Sequence, residues 1–166
     1  MAILEFISDF FKEGATIRLS AFIREGTVCF LEVKNRDQAL HCLVNQLKQA
    51  EKIDNEHTFY EAILRREKIV STGIGMGVAI PHAKLETYRQ FFIAVGVQKM
   101  GTGIEWDSLD GTPVKLIFMI GGPADRQTEY LQILSALTTA IKDETLRQKI
   151  YEAQSEEKVL DLFDAY

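Results

Sequence analysis

The segment from Arg66 to His82 constrains the fold most strongly, because it combines closely spaced glycines with a short strand that stops at a proline. It reads REKIVSTGIGMGVAIPH, with glycines at positions 73, 75 and 77. Glycine adopts positive φ angles and lets other groups approach closely. The apolar residues 78–80 predict a short buried strand, since the run is too brief for a helix. Proline fixes its own φ and favours extended backbone before it, so His82 is predicted at the end of a strand, on a rigid rim.

A histidine in that position is a candidate nucleophile, because neutral imidazole forms covalent intermediates near pH 7. Transfer of a phosphoryl group requires positive charge and hydrogen-bond donors around the transferred oxygens. An arginine supplies the charge, and hydroxyls and glycine amides supply neutral donors. The candidate site residues are therefore His82, Arg66, Ser71, Thr72, Gly73 and Gly75. The alternative is that the histidine only ends a strand and the arginine is a solvated helix residue, and spacing alone does not decide between the two.

The pattern R-E-K-x-x-S-T-G-I-G-x-G-V-A-I-P-H resembles the active-site signature of a known family. These are the enzyme IIA domains of the fructose/mannitol type of the bacterial phosphoenolpyruvate-dependent sugar phosphotransferase system, including the nitrogen-regulatory IIA proteins. A weaker resemblance extends from about Ile23 to Phe163. It implies that His82 accepts a phosphoryl group from the phosphocarrier HPr or a paralogue and passes it to a cysteine on a IIB protein. Arg66 then lies beside the phosphorylated histidine, and no metal or organic cofactor is needed.

Tyr130 departs from the pattern of that family. In that family, the helix after the central strand commonly begins with a second histidine, which lies next to the phosphorylated one. This chain has the sequence EYLQIL over residues 129–134, with Tyr130 at the position of that histidine. Tyrosine donates a hydrogen bond to a phosphoryl oxygen or to imidazole, but it does not become cationic. Tyr130 is therefore predicted to line the phosphoryl site. The alternative is a buried aromatic residue without contact to His82.

Periodicity predicts an α/β fold with a mixed central sheet of four to five strands and helices on both faces. Alternation of strands and helices in the first half favours parallel pairing, and the last two strands form a candidate antiparallel pair. The predicted strands lie at 28–33, 78–80, 91–98 and 114–120, with Gly121-Gly122-Pro123 ending the last. The predicted helices lie at 36–51, 56–67, 127–142 and 144–152, with a final one after Ser155.

The first residues form a separate prediction, since they lie outside the resemblance. Residues 1–13 place isoleucines and phenylalanines on one helical face, and Gly14 follows. We therefore expect an N-terminal helical extension over 1–22 and the IIA-like domain over 23–166. The apolar stripe is typical of a packing face, either on the domain or in a homodimer.

Composition excludes several classes of function. A net charge of −5 without a basic stripe argues against a nucleic-acid surface. No apolar run reaches the ~18 residues of a membrane span, so a cytoplasmic location and no integral membrane role are expected. Cys29 and Cys42 are predicted to be buried free thiols in a reducing compartment. His41 and His57 have no metal-site spacing and are interpreted as incidental.

Three functional readings stay open from the sequence. The first is a phosphocarrier, acting either as a relay in sugar transport or as a regulatory protein of the nitrogen type, with the regulatory role favoured. The second is an interaction protein in which His82 is silent. The third, a nucleotide-binding module, fits poorly because G-x-G-x-G lacks the third glycine of a dinucleotide-binding loop and no P-loop lysine follows.

Overall fold

The structure is a computed structural model that describes residues 17–166. The predicted helix at 1–13 lies outside the described residues, and the division at residue 22 stays a prediction. The strands are β1 (Val28–Leu31), β2 (Gly73–Gly75), β3 (Val78–Ala79), β4 (His82–Leu85), β5 (Phe92–Gln98) and β6 (Leu116–Pro123). The helices are α1 (Arg36–Gln49), α2 (Glu56–Ile69), α3 (Gln127–Ile141), α4 (Glu144–Glu152) and α5 (Glu156–Phe163), preceded by a short 3-10 helix at Leu19–Ala21.

The described strands form one mixed sheet centred on β6. Its order is β1-β5-β6-β3-β2, and β4 also pairs with β6 beyond the end of β3. β5 and β6 are antiparallel, whereas β1 is parallel to β5 and both β3 and β4 are parallel to β6. The predicted α/β class and the antiparallel pair are confirmed. The sheet has six strands because the glycine segment forms a β2–β3 hairpin and the chain resumes pairing as β4.

Helices cover both faces of this sheet, as the sequence predicted. Side chains alternate between faces along each strand, so neighbouring residues of β5 enter different cores. Helices α1 and α2 pack on one face, against residues that include Ala79, Phe92, Ala94, Ile117 and Met119. Helices α3, α4 and α5 pack on the other, against residues that include Val78, Ile80, Ile93, Val95, Phe118 and Ile120.

Strand β6 continues through Gly121-Gly122-Pro123, so the predicted strand end there is wrong. These residues pair with Ala83, Lys84 and Leu85 of β4. Glycine is needed because a Cβ at Gly121 would overlap the ring of Phe92, and one at Gly122 would overlap Phe91. The pair of glycines therefore permits close packing of aromatic rings instead of terminating the strand.

The two cysteines differ from expectation in their exposure. Both Cys29 and Cys42 are free thiols, but Cys29 is only half-buried and Cys42 is exposed on α1. Burial still raises the pKa of the Cys29 thiol to about 12, so this thiol is protonated at neutral pH.

Candidate active site

His82 is the first residue of β4, directly after a break at Pro81 in the edge of the sheet. Both β3 and β4 pair with β6, and Ile80 and Pro81 lie between them. Proline has no amide hydrogen to donate, but its carbonyl accepts a hydrogen bond from Ile120 N at 2.9 Å. The prediction that His82 ends a strand is therefore wrong in one respect. Pairing resumes at His82, because the Pro81 carbonyl keeps the chain in register with β6.

The imidazole of His82 is held at both ring nitrogens. Nδ1 lies 3.0 Å from the carbonyl oxygen of Ile80, and Arg66 Nε donates to Nε2 at 3.1 Å. A carbonyl only accepts, so Nδ1 carries the hydrogen and Nε2 presents its lone pair. Burial lowers the pKa of His82, and the charges of Arg66 and Lys84 lower it further. The hydrogen bond to the Ile80 carbonyl and the charge of Glu67 raise the pKa, but the net shift is downward. The ring is therefore neutral at pH 7.

Arg66 reaches His82 from the last turn of α2. Its Nη1 donates to the carbonyl oxygen of Val70 at 2.8 Å, just beyond the helix end. That contact directs the planar guanidinium so that its Nε faces the imidazole. Helix α2 lies on one face of the sheet and His82 on the edge strand, so Arg66 approaches the ring from the α2 side.

Tyr130 lies on the other side of His82, near the start of α3. Its ring centroid is 5.6 Å from that of His82, so the two rings are neighbours. Burial raises the pKa of Tyr130 to about 12, which keeps its hydroxyl protonated and able to donate. Lys84 Nζ lies 4.5 Å from the centroid of the Tyr130 ring. Sequence reasoning missed Lys84, although alternation along a strand places residues 82 and 84 on the same side.

Glu67 is a second residue that sequence reasoning missed. Its side chain is 1% exposed. The carboxylate accepts from Thr72 N at 2.9 Å, Thr72 Oγ1 at 2.6 Å and Trp106 Nε1 at 2.9 Å. Both hydrogen-bond donors of Thr72, its amide and its hydroxyl, are thus turned towards Glu67. The available signal was an acidic residue four positions after Ile63, on the apolar face of α2.

The glycine segment faces a loop at 104–113 and not the imidazole. Ser71 Oγ donates to the Trp106 carbonyl at 2.7 Å and accepts from Gly73 N at 3.1 Å. Gly75 has φ +97° and lies against the carboxylate of Asp110. Val78 pairs with Leu116 and His82 with Ile120, a separation of four residues or ~13 Å along the strand. The structure therefore brings Arg66 and Tyr130 to His82 and leaves Gly75, the partner of Val78, at about this distance. It turns the hydroxyls of Ser71 and Thr72 towards Trp106 and Glu67.

The sequence that carries this site matches a known family over most of its length. Residues 21–166 match the family model described as the phosphoenolpyruvate-dependent sugar phosphotransferase system, EIIA 2. The chain belongs to this family. The resemblance seen in the segment from Arg66 to His82 is thereby confirmed.

Relatives of this EIIA 2 protein include sugar-specific components and nitrogen regulatory proteins. It is 37% identical over 136 residues to the fructose-specific EIIABC component of Bacillus subtilis, covering 82% of this chain but only 21% of that protein. It is 35% identical over 152 residues to the nitrogen regulatory protein of Escherichia coli K12, covering 91% of this chain and 92% of that protein. The structure of nitrogen regulatory protein IIA-Ntr from Neisseria meningitidis superposes with a TM-score of 0.76 at 28% identity. The superposition covers 87% of this chain and 94% of that one.

The EIIA 2 site is bordered by an exposed apolar surface. Ile69, Val70 and Leu109, here called the apolar rim, are 79%, 55% and 64% exposed. The Val70 carbonyl accepts from Arg66, which places Ile69 and Val70 on the α2 side of the site. Leu109 N donates to Gly73 O at 3.1 Å, so Leu109 lies against the glycine segment that follows.

Within residues 17–166, no helix is long and apolar enough to cross a membrane. The same residues contain no group of three or more His, Cys, Asp or Glu side chains arranged to hold a metal ion.

Proposed function

We propose that this protein is a phosphocarrier in which His82 accepts a phosphoryl group from an HPr-type donor. The observation that carries this proposal is the fixed tautomer of His82. Nδ1–H is held by the Ile80 carbonyl at 3.0 Å, so the lone pair lies on Nε2, 3.1 Å from the Nε–H of Arg66. A neutral imidazole with one directed lone pair is the form that attacks phosphorus.

In the proposed step, Nε2 attacks the phosphorus of a phosphohistidine on the donor, in line with the leaving nitrogen. The new N–P bond forms as the donor N–P bond breaks, and the donor imidazole leaves with the electron pair. The Nε2 lone pair is then used, so Arg66 loses its acceptor and turns to the phosphoryl oxygens. Its bidentate geometry suits two of these oxygens, and its charge offsets theirs.

The remaining candidate residues act around this centre. We propose that the Tyr130 hydroxyl donates to a phosphoryl oxygen, because the Tyr130 ring lies 5.6 Å from the imidazole. For Ser71, Thr72, Gly73 and Gly75 we propose a supporting role without direct contact to the phosphoryl group. The Thr72 carbonyl accepts from Ile80 N at 3.0 Å, and Ile80 in turn holds Nδ1 of His82. The segment thus fixes the carbonyl that selects the tautomer.

Two partners follow from this chemistry. The donor is HPr or a paralogous phosphocarrier, and the acceptor is the cysteine thiolate of a IIB protein or a regulatory target. The related Bacillus protein is named an EIIABC component, which supports a IIB acceptor. The apolar rim offers both partners a surface beside His82. All of these steps belong in the cytoplasm, where phosphoenolpyruvate is available.

Between a sugar-transport relay and a regulatory protein, we propose the nitrogen-regulatory role. The likeness to the nitrogen regulatory protein of E. coli extends over 91% of this chain, compared with 82% for the fructose-specific relative. The structural neighbour at 28% identity is also a nitrogen regulatory protein. In that role, the phosphorylation state of His82 controls binding to a target protein. The relay role predicts instead fast transfer to a IIB cysteine.

The test is phosphoryl transfer from phosphoenolpyruvate through enzyme I and HPr-type proteins to the wild type, His82→Ala and His57→Ala. His57 is an exposed histidine on α2 and serves as the matched control. We expect one phosphoryl group, acid-labile and alkali-stable by mass spectrometry, on the wild type and His57→Ala and none on His82→Ala. Failure to label the wild type with several donors would support the alternative, an interaction protein with a silent His82.

A further inference from the structure

Lys84 is a second cation beside His82, on the side opposite Arg66. The two residues lie two positions apart on β4, so their side chains share one face of the strand. Lys84 Nζ lies 4.5 Å from the centroid of the Tyr130 ring, and that ring lies 5.6 Å from the imidazole. The Lys84 charge is also one cause of the lowered pKa of His82, so the ammonium group acts on the imidazole.

The Lys84 ammonium group contacts neutral groups in the described part of the chain. Its Nζ donates to the neutral side-chain oxygen of Gln127, and no ion pair involves it among residues 17–166. Arg126, which directly precedes Gln127 at the start of α3, is instead paired with the carboxylate of Glu129. Lys84 is half-buried, and this burial lowers the pKa of its ammonium group. A partly desolvated cation without an anionic partner interacts strongly with an incoming anion.

We propose that Lys84 is a catalytic residue that binds the phosphoryl group on His82, so that Arg66 and Lys84 hold its oxygens from opposite sides. This inference rests on the proposed phosphocarrier function. The Tyr130 ring holds Nζ near the imidazole by a cation–π contact, and the four-carbon stem of lysine lets Nζ move from the ring to an oxygen. Tyr130 is not cationic, and Lys84 supplies the charge on the α3 side of the site.

The experiment measures the rate at which phosphoramidate, a chemical phosphoryl donor, phosphorylates His82 without any protein partner. The variants are Lys84→Gln, Lys84→Arg and Lys158→Gln. Lys158 is an exposed lysine on α5, which contacts α4, β1 and the short 3-10 helix, and it controls for the change in net charge. We expect Lys84→Gln to be slowed about tenfold, less than the loss of a fully enclosed donor, because Nζ is partly solvated. Lys84→Arg should recover most of the rate.

A second readout separates a charge effect from a structural one. NMR titration of the unphosphorylated protein should show a higher His82 pKa in Lys84→Gln than in the wild type, because a nearby cation has been removed. Lys158→Gln should leave both the rate and the pKa unchanged. Equal rates in Lys84→Gln and the wild type would overturn the role of Lys84 and leave the phosphocarrier function intact. If phosphoramidate does not phosphorylate wild-type His82, both proposals fail.

Discussion

At the scale of single residues, the state of His82 follows from opposing effects on one imidazole. Burial and the charges of Arg66 and Lys84 favour the neutral ring, whereas the Ile80 carbonyl and Glu67 favour the protonated ring. The first group dominates, and the pKa is lowered from 6.5. The carbonyl still has a function, because it selects which nitrogen carries the hydrogen. Charge state and tautomer are therefore set by different neighbours.

Burial lowers the pKa of His82 below 6.5, the ordinary value for histidine, so we expect the rate of phosphoryl acceptance to decline with falling pH through a midpoint below 6.5. Below that midpoint, protonation of Nε2 removes the nucleophile. Titration of the His82 ring resonances by NMR gives the pKa directly, and the acceptance rate should decline through the same value. A midpoint above 6.5 in the wild type would contradict this account of the site.

The same lowered pKa affects stability. Below pH 6.5 the unfolded chain binds a proton at this position more readily than the folded protein does. The contribution of His82 to stability is thus present at pH values above the pKa of His82 in the unfolded chain. It is lost as the pH falls towards the pKa of His82 in the folded protein. Urea unfolding at pH 7.5 and 5.5 should show a smaller loss of stability for His82→Gln than for the wild type.

At the scale of secondary-structure elements, Glu67 joins three parts of the site. It lies on α2, next to Arg66, and its carboxylate binds the start of the glycine segment through Thr72. It also accepts from Trp106 in the loop at 104–113. A buried carboxylate is stable only with such donors, and here all of them come from outside the helix. The position of Arg66 relative to His82 therefore depends on this junction.

Glu67→Gln should destabilise the fold by about 2–3 kcal/mol, because the amide group places a donor where Thr72 or Trp106 also donates. Trp106 is the only tryptophan in the chain, so its fluorescence reports both the structural change at this junction and unfolding in urea. Glu61→Gln, at an exposed position of the same helix, is the matched control and should change neither. A Glu67→Gln protein as stable as the wild type would show that the carboxylate is not needed at the junction.

The same elements show how far sequence reasoning extends. Helix α4 was predicted at its observed bounds, 144–152, because its apolar periodicity and its Asp143 cap are local signals. His82 and Arg66 were found by their motif. The orientation of Thr72 was not predictable, because it depends on Glu67 and on Trp106, which is 34 residues further along the chain. Lys84 was missed for a related reason, since its role depends on Tyr130 from a different element.

At the scale of the whole molecule, His82 lies on the strand edge between two helical layers. Arg66 reaches it from the layer of α1 and α2, and Tyr130 from the layer of α3, α4 and α5. A donor protein can therefore approach along the sheet edge without opening either core. The apolar rim lies on the α2 side of this approach and has no other evident partner among residues 17–166. We expect it to form part of the docking surface.

Leu109→Ser should raise the KM for the HPr-type donor about tenfold, because an interface that buries this side chain would lose about 1.4 kcal/mol of binding free energy. The fold should not change, since Leu109 is 64% exposed. The phosphoramidate rate should also be unaffected, because that small donor does not contact the rim. Met100→Ser, at an exposed apolar residue after β5, is the matched control. An unchanged KM in Leu109→Ser, or an equal rise in Met100→Ser, would place the docking surface elsewhere on the molecule.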